Sequence, residues 1–110
     1  MRVTPWDSPG KFFIISILME GDSYGYEINK KIKERSRGLI EMQYGTLYPL
    51  LREIENNLLT KSYLDRSNKR RERRYFQLTQ KGIDYYKKQK RVMEGTYTFL
   101  KSTFEDNTGL

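Results

Sequence analysis

The sequence predicts a mainly α-helical fold with one small β-hairpin, three helices ahead of the hairpin and one long helix behind it. Three observations predict it. Apolar residues recur at helical spacing in four separate stretches. Two short runs of strand character flank a polar, basic segment at residues 66–72. A capping hydroxyl, a glycine or an asparagine stands at nearly every change of pattern.

The first helix begins at Ser8 and Pro9, serine as cap and proline at the first helical position. Residues 12–19 are apolar nearly all round, so this helix is expected at the centre of the core, with Gly21 stopping it. The run is too short to span a bilayer and lacks the basic start and small-residue cleavage site of a signal peptide, so a cytoplasmic protein is expected. Ser23 is expected to cap a second helix over residues 24–36. There Ile28 and Ile32 lie four apart, and Gly25 falls three before Ile28 on the same face. Lys30, Lys31, Lys33 and Arg35 fall mainly on its solvent side, and Gly38 closes it.

The third helix covers residues 43–56. Leu47, Leu51, Ile54 and, just beyond, Leu58 repeat at 4-3-4 spacing and mark one buried stripe. Gly45, Pro49, Arg52 and Asn56 project from the opposite face, Thr46 and Tyr48 flank it, and Tyr44 sits nearer the buried side. Pro49 lacks an N–H, so the bond to about Gly45 is lost and a bend is expected there. Asn57 is expected to end the helix in a left-handed conformation.

Strands follow at residues 59–65 and 73–78. Thr79 then caps a long helix reaching about residue 102 or 104. Met93, Tyr97, Leu100 and Phe104 recur at 4-3-4, with Ile83 and Tyr86 extending the stripe. A helix of that length spans roughly 36 Å. Nothing after it in the sequence covers its apolar side, so a second copy of the chain is expected to do so. The expected interface residues are Phe13, Tyr86, Met93, Tyr97, Leu100 and Phe104.

Composition narrows the function. The chain has 110 residues, enough for one domain, but charged residues make up 32% against 36% hydrophobic. That balance leaves limited apolar material for a self-contained globule and also favours oligomerisation. Cysteine and histidine are absent, which excludes disulfides, thiolate chemistry and Cys/His zinc sites and argues against an enzyme. No cofactor is expected. The net charge of +7 is local: residues 66–74 carry six cations against Glu72, and residues 79–91 carry five against Asp84. A cationic block of this kind suits a polyanion.

Helix, helix, helix, strand, basic turn, strand, helix is the order of a winged helix-turn-helix followed by a long C-terminal dimerisation helix. The expected division is a DNA-binding region over residues 1–78 and a dimerisation helix and tail over 79–110. Lys69, Arg70, Arg71 and Arg73 on the hairpin tip offer donors to phosphate oxygens. Gln43, Thr46, Tyr48 and Arg52 offer groups that can read base edges, and Gly45 lets the helix backbone approach closely. Lys87, Lys88, Lys90 and Arg91 read more simply as a solvated helix face.

The stretch Tyr24, Gly25, Tyr26, Glu27, Ile28 and the motif Tyr44-Gly45-Thr46-Leu47-Tyr48-Pro49 resemble the PadR family of transcriptional regulators. Arg73 through Thr79, with Lys81 and Gly82 after it, is similar to the family's wing strand and the start of its last helix. The resemblance covers about residues 12–90 and implies a dimeric winged-helix repressor on double-stranded DNA, dimerised through the last helix. Tyr44, at the start of the same helix, is also a candidate DNA-binding residue, although its angular position favours packing. The resemblance also implies a small planar aromatic effector at the dimer interface, for which Trp6, Phe13, Met93 and Tyr97, with Phe104, are the candidate lining; an aromatic stripe at helical spacing is usually packing, so dimer core is the plainer reading. Two other roles fit the same basic face: a non-regulatory DNA adaptor, such as a plasmid centromere binder, and a protein-interaction module for an acidic partner.

Overall fold

The computed structural model of the protein describes residues 8–68 and 70–106; Trp6 and Lys69 lie outside the described residues. The first helix, α1, is Pro9–Leu18. Ser8 is its cap, with a hydroxyl that accepts the Lys11 N–H at 3.4 Å. α1 buries Ile14, Ile15, Ile17 and Leu18 and is the centre of the core, as its apolar surface predicts. Lys11 is buried among them along its stem. Its ammonium lies 3.9 Å from the Glu53 carboxylate and 5.4 Å from the Tyr85 ring centre, so the charge leaves the core at a polar edge.

The segment after α1 corrects the sequence reading. Ser23 does not cap a helix: it opens a short strand, β1 (Ser23–Tyr24), and its hydroxyl donates to Glu27 at 2.5 Å. The helix α2 (Gly25–Arg35) takes Tyr24 as its cap residue without a side-chain hydrogen bond. α2 turns Gly25, Ile28 and Ile32 inward. Gly25 lets the end of the Tyr48 side chain come close: a Cβ there would meet its hydroxyl and ring edge at 3.1 to 3.3 Å, a tight contact. The chain leaves α2 through two left-handed residues, Arg37 (φ 56) and Gly38 (φ 81).

α3 is Tyr44–Asn56, with Gln43 as cap, and runs unbroken through Pro49. Leu47, Leu51 and Ile54 are fully buried against α1 and α2, as their spacing predicts. Its end differs from expectation. Asn57 keeps an ordinary φ of −83, and Leu58 takes the left-handed conformation at φ 62. Leu58 is 65% exposed, so it does not extend the buried stripe.

β2 (Thr60–Asp65) and β3 (Arg73–Leu78) form the hairpin, and β1 adds to the far side of β3, giving an antiparallel sheet in the order β1-β3-β2. Thr79 then caps α4 (Gln80–Asp106) by accepting the Gly82 N–H at 3.1 Å. The Thr79 hydroxyl donates to the Leu58 carbonyl at 2.6 Å, which ties the start of α4 to the end of α3. α4 has 27 residues, slightly more than expected, and spans roughly 40 Å. Among the described residues no helix is long and apolar enough to cross a membrane.

Candidate nucleic-acid interface

α3 presents its polar face to solvent. Gln43, Gly45, Thr46, Pro49, Arg52 and Asn56 are all exposed, as their angular positions require. Tyr44, placed nearer the buried side by its spacing, is instead 52% exposed, leaning on Tyr48 with ring centres 5.7 Å apart. Tyr48 has two roles: one part of its ring packs on Gly25, and the rest stays in water.

What holds α3 in place was not legible from the sequence. The Asn29 side chain, on α2, grips the backbone of Met42 at both ends. Its amide donates to the Met42 carbonyl at 2.6 Å, and its oxygen accepts the Met42 N–H at 3.1 Å. These bonds fix the last residues before the Gln43 cap and so set where the helix starts. An asparagine in an amphipathic helix reads as a surface residue, and only the fold reveals its partner.

The hairpin is braced at both ends. At the tip, the Asp65 carboxylate accepts the Ser67 N–H at 2.9 Å, which holds that carboxyl below the usual range, and the Asn68 side chain accepts the Arg70 N–H at 3.0 Å. Arg70 and Arg71 extend from this turn into solvent. At the base, Arg74 donates to Ser62 at 3.0 Å, and Ser62 donates to Glu55 of α3, so the strands are tied to the reading helix. Across the sheet, Tyr24, Tyr75 and Tyr63 stand in register on neighbouring strands. Tyr63 stacks on Tyr75 at 5.8 Å, Tyr75 meets Tyr24 edge-on at 5.3 Å, and the Arg73 guanidinium lies 4.5 Å from the Tyr24 ring centre. The Tyr63 hydroxyl donates to Asp22 at 2.7 Å, and this bond pushes the phenol up to about 12.

Between α3 and the hairpin lies an open groove of about 470 Å³. Tyr48 and Arg52 line it from α3, Arg73 and Arg74 from β3, and Glu55 and Glu72 add two carboxylates. The structure thus brings Tyr48, Arg52 and Arg73 together, with Arg74 joining them. Arg70 and Arg71 lie outside the groove, on the hairpin tip. Tyr26, not singled out in the sequence, also lines this groove. It lines a second, smaller one too, with Lys30, Lys33 and Tyr44 beside the start of α3. Its signal was present in the Tyr-Gly-Tyr stretch at residues 24–26, next to a run of lysines.

The residues expected at an interface between two copies separate into two groups. Tyr86 stacks on Phe12 within the chain at 5.5 Å, and Phe13 packs against the core beside Ile32 and Ile40. Tyr97 and Phe99 are each 67% exposed, and Leu100 and Phe104 are exposed with them. Pro9, Val92, Met93, Phe99 and Leu100 line an apolar groove of about 640 Å³. Of the residues expected around an effector, Met93 lines this groove and Phe13 lines a different one, while Trp6 lies outside the described residues.

The family model for transcriptional regulators of the PadR-like family matches residues 14–88, which run from α1 into α4. The chain belongs to the PadR-like family of transcriptional regulators. That is a family of regulators, not of enzymes. Among solved structures, a transcriptional regulator from Clostridium thermocellum is 37% identical, with a TM-score of 0.74 over 84% of this chain and 89% of that one. Bacillus subtilis PadR, solved in complex with operator DNA, shares the winged-helix fold at 20% identity and a TM-score of 0.65, over 71% of this chain and 43% of that one. An uncharacterized curated protein from Lysinibacillus sphaericus is 28% identical over 72 residues, and the chain covers 66% of that protein's length. The PadR-like resemblance in the 24–28 and 44–49 motifs therefore coincides with the region the family model matches.

Proposed function

We propose that this PadR-like chain is a transcriptional repressor that binds double-stranded DNA as a homodimer on an inverted repeat. The observation that carries the reading is the shared groove between α3 and the wing, where the polar helix face meets Arg52, Arg73 and Arg74. α3 enters the major groove, with Gln43, Thr46, Tyr48 and Arg52 toward base edges or adjacent phosphates and Gly45 allowing close approach. Tyr44 borders the same surface. The tip arginines Arg70 and Arg71, together with Lys69 and Arg73, take the flanking phosphates. That Bacillus subtilis PadR, of the same fold, was solved in complex with operator DNA supports DNA as the partner.

The second copy covers the exposed stripe of α4. Met93, Tyr97, Leu100 and Phe104 carry the interface, while Phe13 and Tyr86 pack within the chain; apolar side chains this exposed along one helix favour burial against a partner. Two α3 helices then meet successive major-groove faces about 34–36 Å apart. The place for a planar aromatic effector is the apolar groove lined by Met93, Phe99 and Leu100, closed by the partner copy. Blocking a promoter is the consequence of occupancy, and the cytoplasm is where such a protein meets its DNA.

Selection of bound duplexes from a random pool, followed by sequencing, tests the reading together with sedimentation of the free protein. A recovered inverted repeat and a dimer are expected. A monomer, tandem repeats or no enrichment at all would contradict it; tandem repeats would favour a DNA adaptor, and indifference to duplex would favour an acidic protein partner.

A further inference from the structure

The groove holds an arginine whose guanidinium rests on a side chain from a different strand. Arg73 has no ion-pair partner among the described residues. Its neighbour in register across the hairpin is Asp65, which feels the Arg73 charge but does not come within ion-pair distance of it. The guanidinium instead lies 4.5 Å from the Tyr24 ring centre. A guanidinium held by an aromatic face keeps its N–H donors in its own plane, free to meet a phosphate. Tyr24 is itself held. It pairs with Tyr75 across β1 and β3, Tyr75 stacks on Tyr63, and the Tyr63 hydroxyl is bonded to Asp22. The row ends at the turn between α1 and α2, so the helix-turn-helix body and the wing share one aromatic brace.

From this we infer that Tyr24 is a positioning residue for DNA binding: it pre-organises Arg73 toward the groove, so that the phosphate contact forms without first ordering a long side chain. The inference rests on the DNA-binding reading above and adds a role for Tyr24, which lies outside both α3 and the hairpin.

The test is a double-mutant cycle, with Kd measured on a duplex recovered from the random pool. Tyr24→Leu is expected to weaken binding about three- to tenfold, the range of a cation–aromatic contact, while Tyr24→Phe, which keeps the ring, stays close to wild type. In an Arg73→Gln background, Tyr24→Leu is expected to add nothing. Arg73→Lys leaves Tyr24 and the fold alone but loses the planar fork, and it is expected to weaken binding several-fold. Equal losses from Tyr24→Leu with and without Arg73 would mean that Tyr24 acts independently of Arg73 and would overturn the inference. So would unchanged affinity in Arg73→Lys and Arg73→Gln while neutralising Arg70 and Arg71 still weakens binding. If the wild-type protein enriches no duplex, the DNA reading itself has failed.

Discussion

Gly82 and Leu59 meet backbone to backbone: a Cβ on Gly82 would lie 2.1 Å from the Leu59 carbonyl oxygen. The first turn of α4 is thereby pressed against the chain entering β2, at the point where Thr79 also bonds to Leu58 and Leu59. Every side chain but hydrogen is excluded, and the obstacle is backbone, which cannot rotate away. Gly82→Ala is therefore expected to destabilise the fold by about 1–3 kcal/mol, the usual cost of overpacking, read as a lower urea midpoint with an unchanged slope. A midpoint equal to wild type would show that α4 shifts freely on the body.

Asn29 gives a prediction that separates placement from chemistry. It is not among the proposed DNA contacts, yet it holds Met42 by two hydrogen bonds at the threshold of α3. Asn29→Ala leaves both Met42 groups without their partner and is expected to cost about 1–3 kcal/mol. Duplex affinity should fall with it, measured well below the unfolding transition. Asn29→Asp keeps the acceptor but sets a carboxylate oxygen against the Met42 carbonyl and should cost at least as much as the alanine.

How far the sequence could be read depended on the range of each signal. The buried stripe of α3, the cap at Ser8, the cap at Thr79 and the span of β3 rest on neighbours within a turn or a strand, and these were legible. β1 was not: two residues carry no periodicity, and their pairing partners Phe76 and Tyr75 are some fifty residues away. Ser23, a good cap by type, was drawn into that strand. The Asn29 bridge and the Tyr24–Arg73 stack are likewise long-range contacts that leave no local trace. The α3 face was legible because helical geometry alone divides buried from exposed, whereas Tyr44, near the boundary, fell on the other side.

The end of α3 carries a small conformational cost. Leu58 is held at φ 62 while largely exposed, so its side chain returns little packing for a backbone state that disfavours a Cβ. Leu58→Gly is expected to stabilise the protein by up to about 1 kcal/mol. The Thr79 bond to the Leu58 carbonyl is unaffected by the change. A differential scan checks it: the Tm should rise by a few degrees, and a fall would show that Leu58 contributes packing after all.

The Tyr63–Asp22 bond makes stability depend on pH at the alkaline end. The folded phenol titrates at about 12, above its ordinary value of about 10. The unfolded chain therefore loses this proton first. The contribution of the bond is complete below about pH 10 and disappears as pH rises through about 12. Urea midpoints for wild type and Tyr63→Phe should differ at pH 9 and converge or cross near pH 12. A constant difference across that window would mean that the phenol proton is not in the bond.

The central claim is that the wing arginines meet phosphates beside a reading helix. The dependence of duplex affinity on salt measures it most directly, because each neutralised phosphate releases counterions and adds about 0.9 to the slope of log K against log salt. Comparing wild type with Arg70→Gln/Arg71→Gln on the same duplex, we predict a steep slope for wild type. In the double variant both affinity and slope should drop, the slope by about 0.9 for each phosphate that no longer meets an arginine. Identical slopes and affinities for the two proteins would contradict the account.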